Sequence, residues 1–291
     1  MELWIPITLL AAFAQNLRSA LQKHLTGRLS TGGATYVRFL YAVPFAALYV
    51  LALRQLDVGP LPVPTGRFAL FAAIGGVAQI VGTGLLVHTF TLRNFAVGTA
   101  LSKTETVQAA LFGFLLLGDV VTPTVAAGIG ISLLGVLGLS IDRDVRFDTS
   151  TAVPGLLSGA GFAVSAVCYR AAAQTLGGDG FVMQAAFTLL CVTVLQSVLM
   201  GAWLRLTEPG EITRTLRAAQ TAVLVGATGM LGSAGWFTAM TIHPVAEVRA
   251  LGQIELLFTL CFSWFAFRER PTARELFGVG AIVAGILLVL R

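Results

Sequence analysis

The amino-acid sequence predicts an all-α integral membrane protein with ten transmembrane helices, arranged as two inverted five-helix repeats. Three observations lead to this fold class. Of the 291 residues, 56% are hydrophobic and only 11% are charged, with a mean hydropathy of +0.84, whereas a soluble domain is about 25% charged. The apolar runs reach the roughly 20 residues with which a helix spans hydrocarbon. The two halves of the chain also resemble each other at a fixed offset.

The ten predicted spans follow one another with short links. Their apolar runs are too long for strands and lack the alternation of a membrane β-barrel. The spans cover residues 3–22, 34–53, 68–90, 95–117, 122–141, 153–174, 181–203, 218–240, 245–267 and 273–290. The longest links, 54–67, 142–151 and 205–217, are too short to hold a soluble domain. We therefore interpret 1–141 and 153–291 as two repeats of five helices each.

An internal repeat connects the fourth and fifth spans with the ninth and tenth. Residues 95–137 align without a gap with residues 245–287, a shift of 150 positions that places Glu105 on Glu255. The same shift pairs small residues in the following span: Gly128, Gly130 and Gly135 fall on Gly278, Gly280 and Gly285. Because five is an odd number, the second copy must enter the membrane from the opposite side. The result is an inverted repeat, which many secondary transporters share.

Composition also excludes several classes of function. The net charge of +5 comes from basic residues scattered over short links, without the basic patch of a nucleic-acid-binding protein. The sequence contains no P-loop and no H-E-x-x-H or G-x-S-x-G motif, so we do not expect an enzyme. Cys168, Cys191 and Cys261 stand singly in apolar runs and predict neither a metal site nor a cofactor.

Polar residues inside the first two spans need a reason, because a mid-helix charge costs roughly 2.5–3.5 kcal/mol in a membrane. Gln15, Arg18, Ser19 and Gln22 recur at the spacing of one helix face. We interpret Gln15 and Arg18 as part of the polar wall of a translocation pathway. Hydrogen bonds between helices are the alternative interpretation. Arg38, near the start of the second span, is a further candidate for substrate binding.

The fourth span carries the two charges that most need partners. Lys103 and Glu105 are two residues apart and therefore do not face each other on a helix. Glu255 is the repeat counterpart of Glu105, and two carboxylates beside one cavity could bind and release protons for coupled transport. Alternatively, each is permanently neutralised, for instance Glu105 by Arg38 and Glu255 by Lys103.

The ninth span adds a second set of polar candidates. Arg249 and Gln253 are four residues apart and share one helix face, whereas Glu247 and Glu255 lie on another. We predict that Arg249 and Gln253 contact substrate and that Glu247 could take part in proton coupling. The alternative is that Glu247 and Arg249 are half solvated at the start of the helix.

Two segments resemble a known family. "FLLLGDVVTPTVAAGIGISLLGVLG" and "WFAFRERPTARELFGVGAIVAGILL" each join an apolar helix end to an acidic turn and a glycine-spaced helix. With ten spans in about 290 residues, the whole chain resembles the drug/metabolite transporter superfamily, in particular its ten-helix EamA-type members. Members often have proline just after the acidic residue of the fourth and ninth helices. In this chain Thr106 follows Glu105 and Leu256 follows Glu255 at those places.

The resemblance implies transport of small metabolites or drugs across the cytoplasmic (inner) membrane, commonly export, without ATP hydrolysis. The mixed charges of the candidate residues suit a zwitterionic or polar metabolite such as an amino acid. The expected partners are therefore this substrate, the lipid bilayer and protons, for a monomer or a homodimer. Two alternatives stay open: a channel-like facilitator of the same fold, and a non-transport membrane protein with structural ion pairs. The excess of basic links on one side places both termini outside, whereas the resemblance implies cytoplasmic termini.

Overall fold

A computed structural model describes residues 2–23, 29–90, 95–140, 149–178, 180–258, 260 and 272–291. The secondary structure in these ranges is helical, without strands. In chain order the helices are α1 (Trp4–Lys23), α2 (Thr31–Leu40), α3 (Ala42–Gln55), α4 (Gly66–Phe90), α5 (Phe95–Ser102), α6 (Glu105–Leu117), α7 (Pro123–Ser140), α8 (Thr149–Thr175), α9 (Phe181–Thr207), α10 (Glu211–Arg217), α11 (Ala219–Ile242), α12 (Val245–Gly252), α13 (described over 254–258) and α14 (Ala273–Val289).

The predicted all-α membrane class is confirmed. Each predicted span coincides with a helix or with two consecutive helices, although the far part of the ninth span, with Cys261, lies outside the described residues. Five described segments are long and apolar enough to cross a membrane: 31–55, 66–89, 149–175, 181–207 and 219–242. The others are shorter, broken or less apolar, so the count of ten spans stays a prediction.

One predicted link contains a helix. The link 205–217, which the sequence interpretation judged too short for a soluble domain, contains α10 in its second half. Glu211 begins this helix and is only 2% exposed, because its carboxylate accepts a hydrogen bond of 2.6 Å from the backbone N–H of Ser30. Ser30 is the N-cap of α2. The buried acid thus ties the link to the positive end of α2.

The helices group into two compact units. Unit 1 comprises residues 1–80 and 168–242, and unit 2 comprises 81–167 and 243–291. Each unit combines residues of both predicted repeats, and the long helices α4 and α8 contribute to both units. The grouping by contact therefore cuts across the grouping by sequence.

Two helix pairs in unit 2 are interrupted at equivalent positions. The backbone N–H of Lys103 bonds to the carbonyl of Ala100 (3.1 Å), and that of Gln253 bonds to Ala250 (3.2 Å). Lys103 and Gln253 correspond under the shift of 150, and both bonds span three residues instead of the four of an α-helix. No proline stands at either break. The breaks are therefore features that the two repeats share.

Small side chains explain why the helix stops here. Ser102 donates to the carbonyl of Thr99 (2.7 Å), and Thr104 donates to the carbonyl of Leu101 (2.6 Å). Such hydroxyl groups compete with the backbone for helical carbonyls. At the second break the residue equivalent to Ser102 is Gly252, and Gly or Ser positions are common sites of sharp helix kinks.

Glycines bring α7 and α14 together at the centre of unit 2. A Cβ atom on Gly128 would lie 2.6 Å from the carbonyl oxygen of Gly285, and one on Gly135 would lie 2.8 Å from that of Gly278. The shift of 150 maps Gly128 to Gly278 and Gly135 to Gly285, so the two contacts exchange under the repeat. The crossing thus has the local twofold relation that an antiparallel pair of repeats requires.

Unit 1 is built around α1, α9 and α11. Helix α1 packs along α11, where Gly232 lies against the backbone of Ala11 and Gln15, while α9 packs against α2 and α3. Buried side chains such as Val37, Ala222 and Val225 fill the space between α2 and α11. Large apolar side chains point outward in both units, including Leu10, Phe13, Leu48, Leu115, Leu134 and Phe277. Such an apolar exterior suits contact with lipid.

Candidate functional site

Four charged residues meet beside the helix breaks of unit 2. The Lys103 ammonium pairs with the Glu255 carboxylate, and Arg249 Nη1 lies 3.8 Å from Glu105 Oε1. All four side chains are largely buried, with exposed fractions between 14 and 25%. We call Lys103, Glu105, Arg249 and Glu255 the charge cluster. Its formal charge is zero, with two cations balancing two anions, which lowers the cost of burying them.

Both ion pairs join one predicted repeat to the other. Lys103 comes from the first repeat and pairs with a carboxylate of the second, while Arg249 comes from the second and faces a carboxylate of the first. The two carboxylates are repeat counterparts, but the two cations are not, since Gln253 occupies the position equivalent to Lys103. The two carboxylates therefore occupy positions that the repeat relates, whereas the two cations do not.

Gln253 completes the connection at the second break. Its side-chain Nε2 donates to Thr106 Oγ1 (3.0 Å), and its Oε1 accepts from the Ser132 hydroxyl. Gln253 is buried, with 4% exposure. Lys103 and Gln253 thus make corresponding contacts. The side chain at each helix break contacts a residue just after the other break.

Helix ends favour the two carboxylates. Glu105 is the first residue of α6, and Glu255 is the second described residue of α13. The N-terminal turn of a helix carries a partial positive charge, which stabilises a nearby carboxylate by about 0.3–1 kcal/mol. Because each break creates a new N-terminus inside the chain, it supplies this stabilisation at the site of the buried acids.

The ion pairs bear on the alternative that Glu105 and Glu255 are each neutralised by a cation. Of the neutralising pairs considered from the sequence, Glu255 with Lys103 is present. For Glu105 the structure shows a cation from the same unit, Arg249. Sequence spacing could not find this partner because it depends on how α12 packs against α6.

Glu247 belongs to a different contact. Its Oε2 lies 2.6 Å from Nε2 of His243, four residues earlier, and both side chains are mostly buried. Pro244 is the N-cap of α12 and Glu247 lies in its first turn. The sequence placed Glu247 beside the pathway, and the structure adds a histidine partner to it.

The candidates on α1 have partners in unit 1. Gln15 Oε1 accepts a hydrogen bond from Trp236 Nε1 (3.1 Å), and Arg18 Nη2 donates to Ser19 Oγ (3.3 Å). The bond to Trp236 is the hydrogen bond between helices that the alternative interpretation anticipated. The aliphatic part of Arg18 lies against Gly229, where a Cβ atom would be 3.2 Å from Arg18 Cδ.

Unit 1 also contains a small hollow, which encloses about 320 Å³ including its open mouth. Arg38 lies at its wall together with Gln79 and Gln196, and Phe39 and Phe237 supply aromatic surface. We call this feature the unit 1 hollow. Among the candidate substrate-binding residues from the sequence, Arg38 lines the unit 1 hollow.

A hydrogen-bond network supports one wall of the hollow. Gln196 Nε2 donates to Gln79 Oε1 (2.7 Å), and the Tyr169 hydroxyl donates to the same oxygen (3.1 Å). The Tyr169 ring stacks on Phe237 with ring centroids 4.6 Å apart. The sequence interpretation missed Gln196 and Tyr169. An amide in the middle of an apolar span, with Thr193 one turn earlier, was the available signal for Gln196.

The described residues offer no group of three His, Cys, Asp or Glu side chains that could hold a metal ion. Cys168 is buried and Cys191 is partly buried, and both are free thiols.

Comparisons with known proteins agree with this architecture. The sequence matches the EamA-like transporter family twice, over residues 2–141 and 150–291. A solved structure described only as a crystal structure of a protein shares 19% identity, with a TM-score of 0.71 over 98% of this chain and 95% of its own. At that identity the likeness concerns the fold alone. No curated protein is significantly similar to the sequence. Because the two family matches cover nearly the entire chain, the protein belongs to the EamA-like transporter family.

Proposed function

We propose that this membrane protein is a secondary active exporter of small polar metabolites across the cytoplasmic membrane, with amino acids as the substrate class. We further propose that transport is coupled to protons through Glu105 and Glu255. Membership of a transporter family and the apolar helices support transport in general. The charge cluster is the single observation that supports the finer proposal.

The balance of charges favours a zwitterionic substrate. The cluster holds two cations and two anions in largely buried pairs. A lone cation or anion entering this region would leave an uncompensated charge, which is costly in a low-dielectric environment. A zwitterion brings one charge of each sign, so its carboxylate can replace Glu255 at Lys103 while its ammonium group compensates the displaced acid.

Ion pairs between repeats suit a transport cycle. Lys103–Glu255 and Glu105–Arg249 connect helix breaks that lie at equivalent positions of the two repeats. Interrupted membrane helices near the bilayer midplane form the binding sites of many transporters with inverted repeats. If the repeats exchange conformations during the cycle, these pairs must break and reform, and the substrate can lower the cost of breaking them.

Protons provide a second way to release the pairs. Protonation of Glu105 or Glu255 removes the negative charge and weakens the attraction to Arg249 or Lys103. The neighbouring pair of His243 and Glu247 offers an additional group that can gain or lose a proton. We assign coupling first to the two carboxylates because they lie in the cluster, and we keep Glu247 as a second candidate.

The remaining candidate residues are assigned supporting roles. We propose that Gln253 holds the second break through Thr106 and Ser132, and that Gln15, Arg18 and Arg38 take part in substrate binding. Gln15 shares its amide with Trp236 in the bond described above, so its contribution to transport depends on breaking that bond.

Efflux from proteoliposomes tests the proposal. Vesicles containing the purified protein are loaded with a mixture of radiolabelled amino acids, and efflux is followed with and without an imposed pH gradient. We expect Glu105→Gln and Glu255→Gln to reduce efflux about ten- to a hundredfold, the effect of losing one largely buried contact between opposite charges. Glu275→Gln is the matched control, since Glu275 lies in the exposed capping box of α14.

Three results would contradict parts of the proposal. Unchanged efflux in both variants would remove the assigned role of the charge cluster. Accumulation that does not depend on the pH gradient would favour a channel-like facilitator. A strict preference for hydrophobic cations over amino acids would exclude the proposed substrate class.

A further inference from the structure

We propose that unit 1 carries a surface that binds the headgroups of anionic phospholipids, at the end where α9 stops and α10 follows. The surface consists of Trp203, Arg205 and Leu206 from the last two turns of α9 and of Leu216 and Arg217 from the end of α10. We call it the arginine surface. Lipid binding here is independent of the proposed function, since it involves unit 1 alone and no transported substrate.

The length of α9 places this surface at the boundary of the membrane. The helix has 27 residues and is therefore about 40 Å long, whereas the hydrocarbon core is about 30 Å thick. Its ends thus reach the level of the headgroups. Trp203, near the last turn, is 47% exposed, and tryptophan is enriched at this level of a membrane. The short helix α10 follows directly and lies at the same end of the unit.

Helix α10 is fixed to the unit and has a defined outer face. Ile212 packs against a buried cluster formed by α2 and α9, and Thr215 is fully buried. The Tyr41 hydroxyl lies within hydrogen-bond distance of the carbonyl oxygens of Thr215 (3.3 Å) and Leu216 (3.4 Å). These contacts hold one face of the helix inward, so that Leu216 and Arg217 are exposed on the other.

The structure separates charges that the sequence mixes. Residues 202–220, all of which the structure describes, contain three arginines and two acids. Both acids turn inward: Glu211 accepts the bond from the N–H of Ser30, and a Cβ atom on Gly32 would lie 2.8 Å from Glu208 Oε1. They thereby approach the N-terminal turn of α2, whose partial positive charge favours carboxylates.

The outward charge is therefore positive, with apolar side chains beside it. Arg205 and Arg217 are exposed, and neither acid of 202–220 is among the exposed residues. Leu206 is 83% exposed and Leu216 is 54% exposed. A guanidinium fork matches phosphate oxygens, and segments that combine basic residues with leucine and tryptophan bind at the interface of anionic membranes. A phospholipid provides a partner for both kinds of side chain, whereas a soluble anion provides one for the arginines alone.

Two lipids that differ in headgroup charge test the proposal. Purified full-length protein in lipid-free detergent is titrated with dioleoyl phosphatidylglycerol or with dioleoyl phosphatidylcholine, which have the same acyl chains. Mass spectrometry of the intact complexes gives the Kd for each lipid. We expect phosphatidylglycerol to bind about tenfold more tightly, and the difference to shrink as ionic strength rises from about 50 to about 500 mM. Equal affinities, or a preference that salt does not change, would overturn the proposal.

Variants locate the binding on the arginine surface. Because each arginine beside an anionic lipid surface contributes roughly fivefold, we expect Arg205→Gln/Arg217→Gln to weaken phosphatidylglycerol binding about ten- to thirtyfold. The matched control is Arg54→Gln/Arg67→Gln. These two arginines of unit 1 are also exposed, but neighbouring residues of α3 and α4 pack near the start of α9, away from the arginine surface. The control should bind the lipid like the parent, and equal losses in the two double variants would contradict the assignment.

Two further measurements define what the surface recognises. Arg205→Lys/Arg217→Lys keeps both charges and should retain most of the binding, which separates loss of charge from misfolding. A lysine variant that binds as weakly as the glutamine variant would refute a role for charge. Inorganic phosphate, added at constant ionic strength, should not displace phosphatidylglycerol. Displacement would indicate a site for a soluble anion and would overturn the assignment to lipid.

Discussion

The two units of the molecule satisfy their buried polar groups in different ways. Unit 2 uses opposite charges: Lys103 with Glu255 and Arg249 with Glu105. Around Gln79, unit 1 uses neutral amides and a hydroxyl, with Gln196 and Tyr169 both donating to Gln79, and its buried carboxylate, Glu211, is bound by the backbone N–H of Ser30. Charge pairs can be exchanged by a proton or by a charged substrate, whereas an amide network does not titrate. The difference teaches that unit 2 is suited to respond to ions, and unit 1 to provide a fixed surface.

Helix crossings differ between the units as well. In unit 2 the backbones of α7 and α14 approach so closely that a Cβ on Gly128 would lie 2.6 Å from a carbonyl oxygen. In unit 1 a Cβ on Gly232, between α11 and α1, would lie 3.3 Å from the nearest backbone atom. The α7–α14 crossing at Gly128 therefore has less tolerance for added volume than the α1–α11 crossing at Gly232, although unit 1 has a similarly close approach at Gly226, where a Cβ would lie 2.5 Å from backbone atoms of Tyr41.

The largest expected effect tests the charged character of unit 2. Lys103→Met removes the cation beside Glu255 and leaves that carboxylate largely buried, which typically costs about 3–5 kcal/mol. We expect a marked drop in the apparent unfolding temperature in detergent and loss of efflux. The double variant Lys103→Met/Glu255→Gln removes both charges and should recover most of the stability but not the efflux. Equal destabilisation in the single and double variants would contradict the ion pair.

The next effect concerns the glycine crossing. Gly128→Ala forces the α7 and α14 backbones apart and should cost about 1–3 kcal/mol, as overpacking does. Gly130→Ala is the control within the same helix, because a Cβ there would meet nothing within 4 Å. Gly232→Ala in unit 1 should fall between the two. Thermal unfolding of the three variants checks this order, and a Gly232 variant less stable than the Gly128 variant would reverse the comparison.

A smaller effect probes the amide network of unit 1. Gln196→Leu deprives Gln79 of a buried donor and should cost about 1–2 kcal/mol. Its efflux should keep the dependence on the pH gradient, because the amide side chains of Gln79 and Gln196 do not titrate. Unfolding measurements and efflux at two pH gradients test both statements. A changed pH dependence would show that unit 1 contributes to proton coupling.

The smallest effect compares two ion pairs. Arg214 and Glu211 in unit 1 are 3.2 Å apart, but the Arg214 side chain is 68% exposed, unlike Lys103 at 25%. Exposed pairs contribute roughly 0.2–1 kcal/mol. Because Glu211 keeps its bond to the backbone N–H of Ser30, we expect Arg214→Gln to lower the unfolding temperature by about 3 °C or less, with unchanged efflux. A loss as large as that of Lys103→Met would mean that burial does not separate the two pairs.

The sequence predicted much of the fold, and it named all four residues of the charge cluster as candidates. Composition and apolar run lengths indicated the membrane class, and the shift of 150 positions brought Glu105 into register with Glu255 before any contact was known. It did not predict α10, since a seven-residue helix after "TEPG" has no extended pattern. Nor did it predict the helix breaks, because the spans around Lys103 and Gln253 are continuous in hydropathy and contain no proline.

The contact partners of the buried polar residues were the feature that the sequence predicted least well. Arg249 as the cation beside Glu105, and Tyr169 as a partner of Gln79, could not be read from spacing. In both cases the two residues are at least 90 positions apart in the chain, so no helical periodicity relates them.

The sequence by itself determined that this chain belongs in a membrane, that it repeats a helical unit, and which ionisable residues are out of place in lipid. These properties follow from the transfer free energies of side chains and from helical periodicity, both of which are local. Tertiary structure alone decided which cation meets which carboxylate, where the helices break, and how stretches of both repeats combine into each unit. Those outcomes depend on the close approach of backbones at glycines such as Gly128 and Gly285, and thus on distances between residues far apart in the chain.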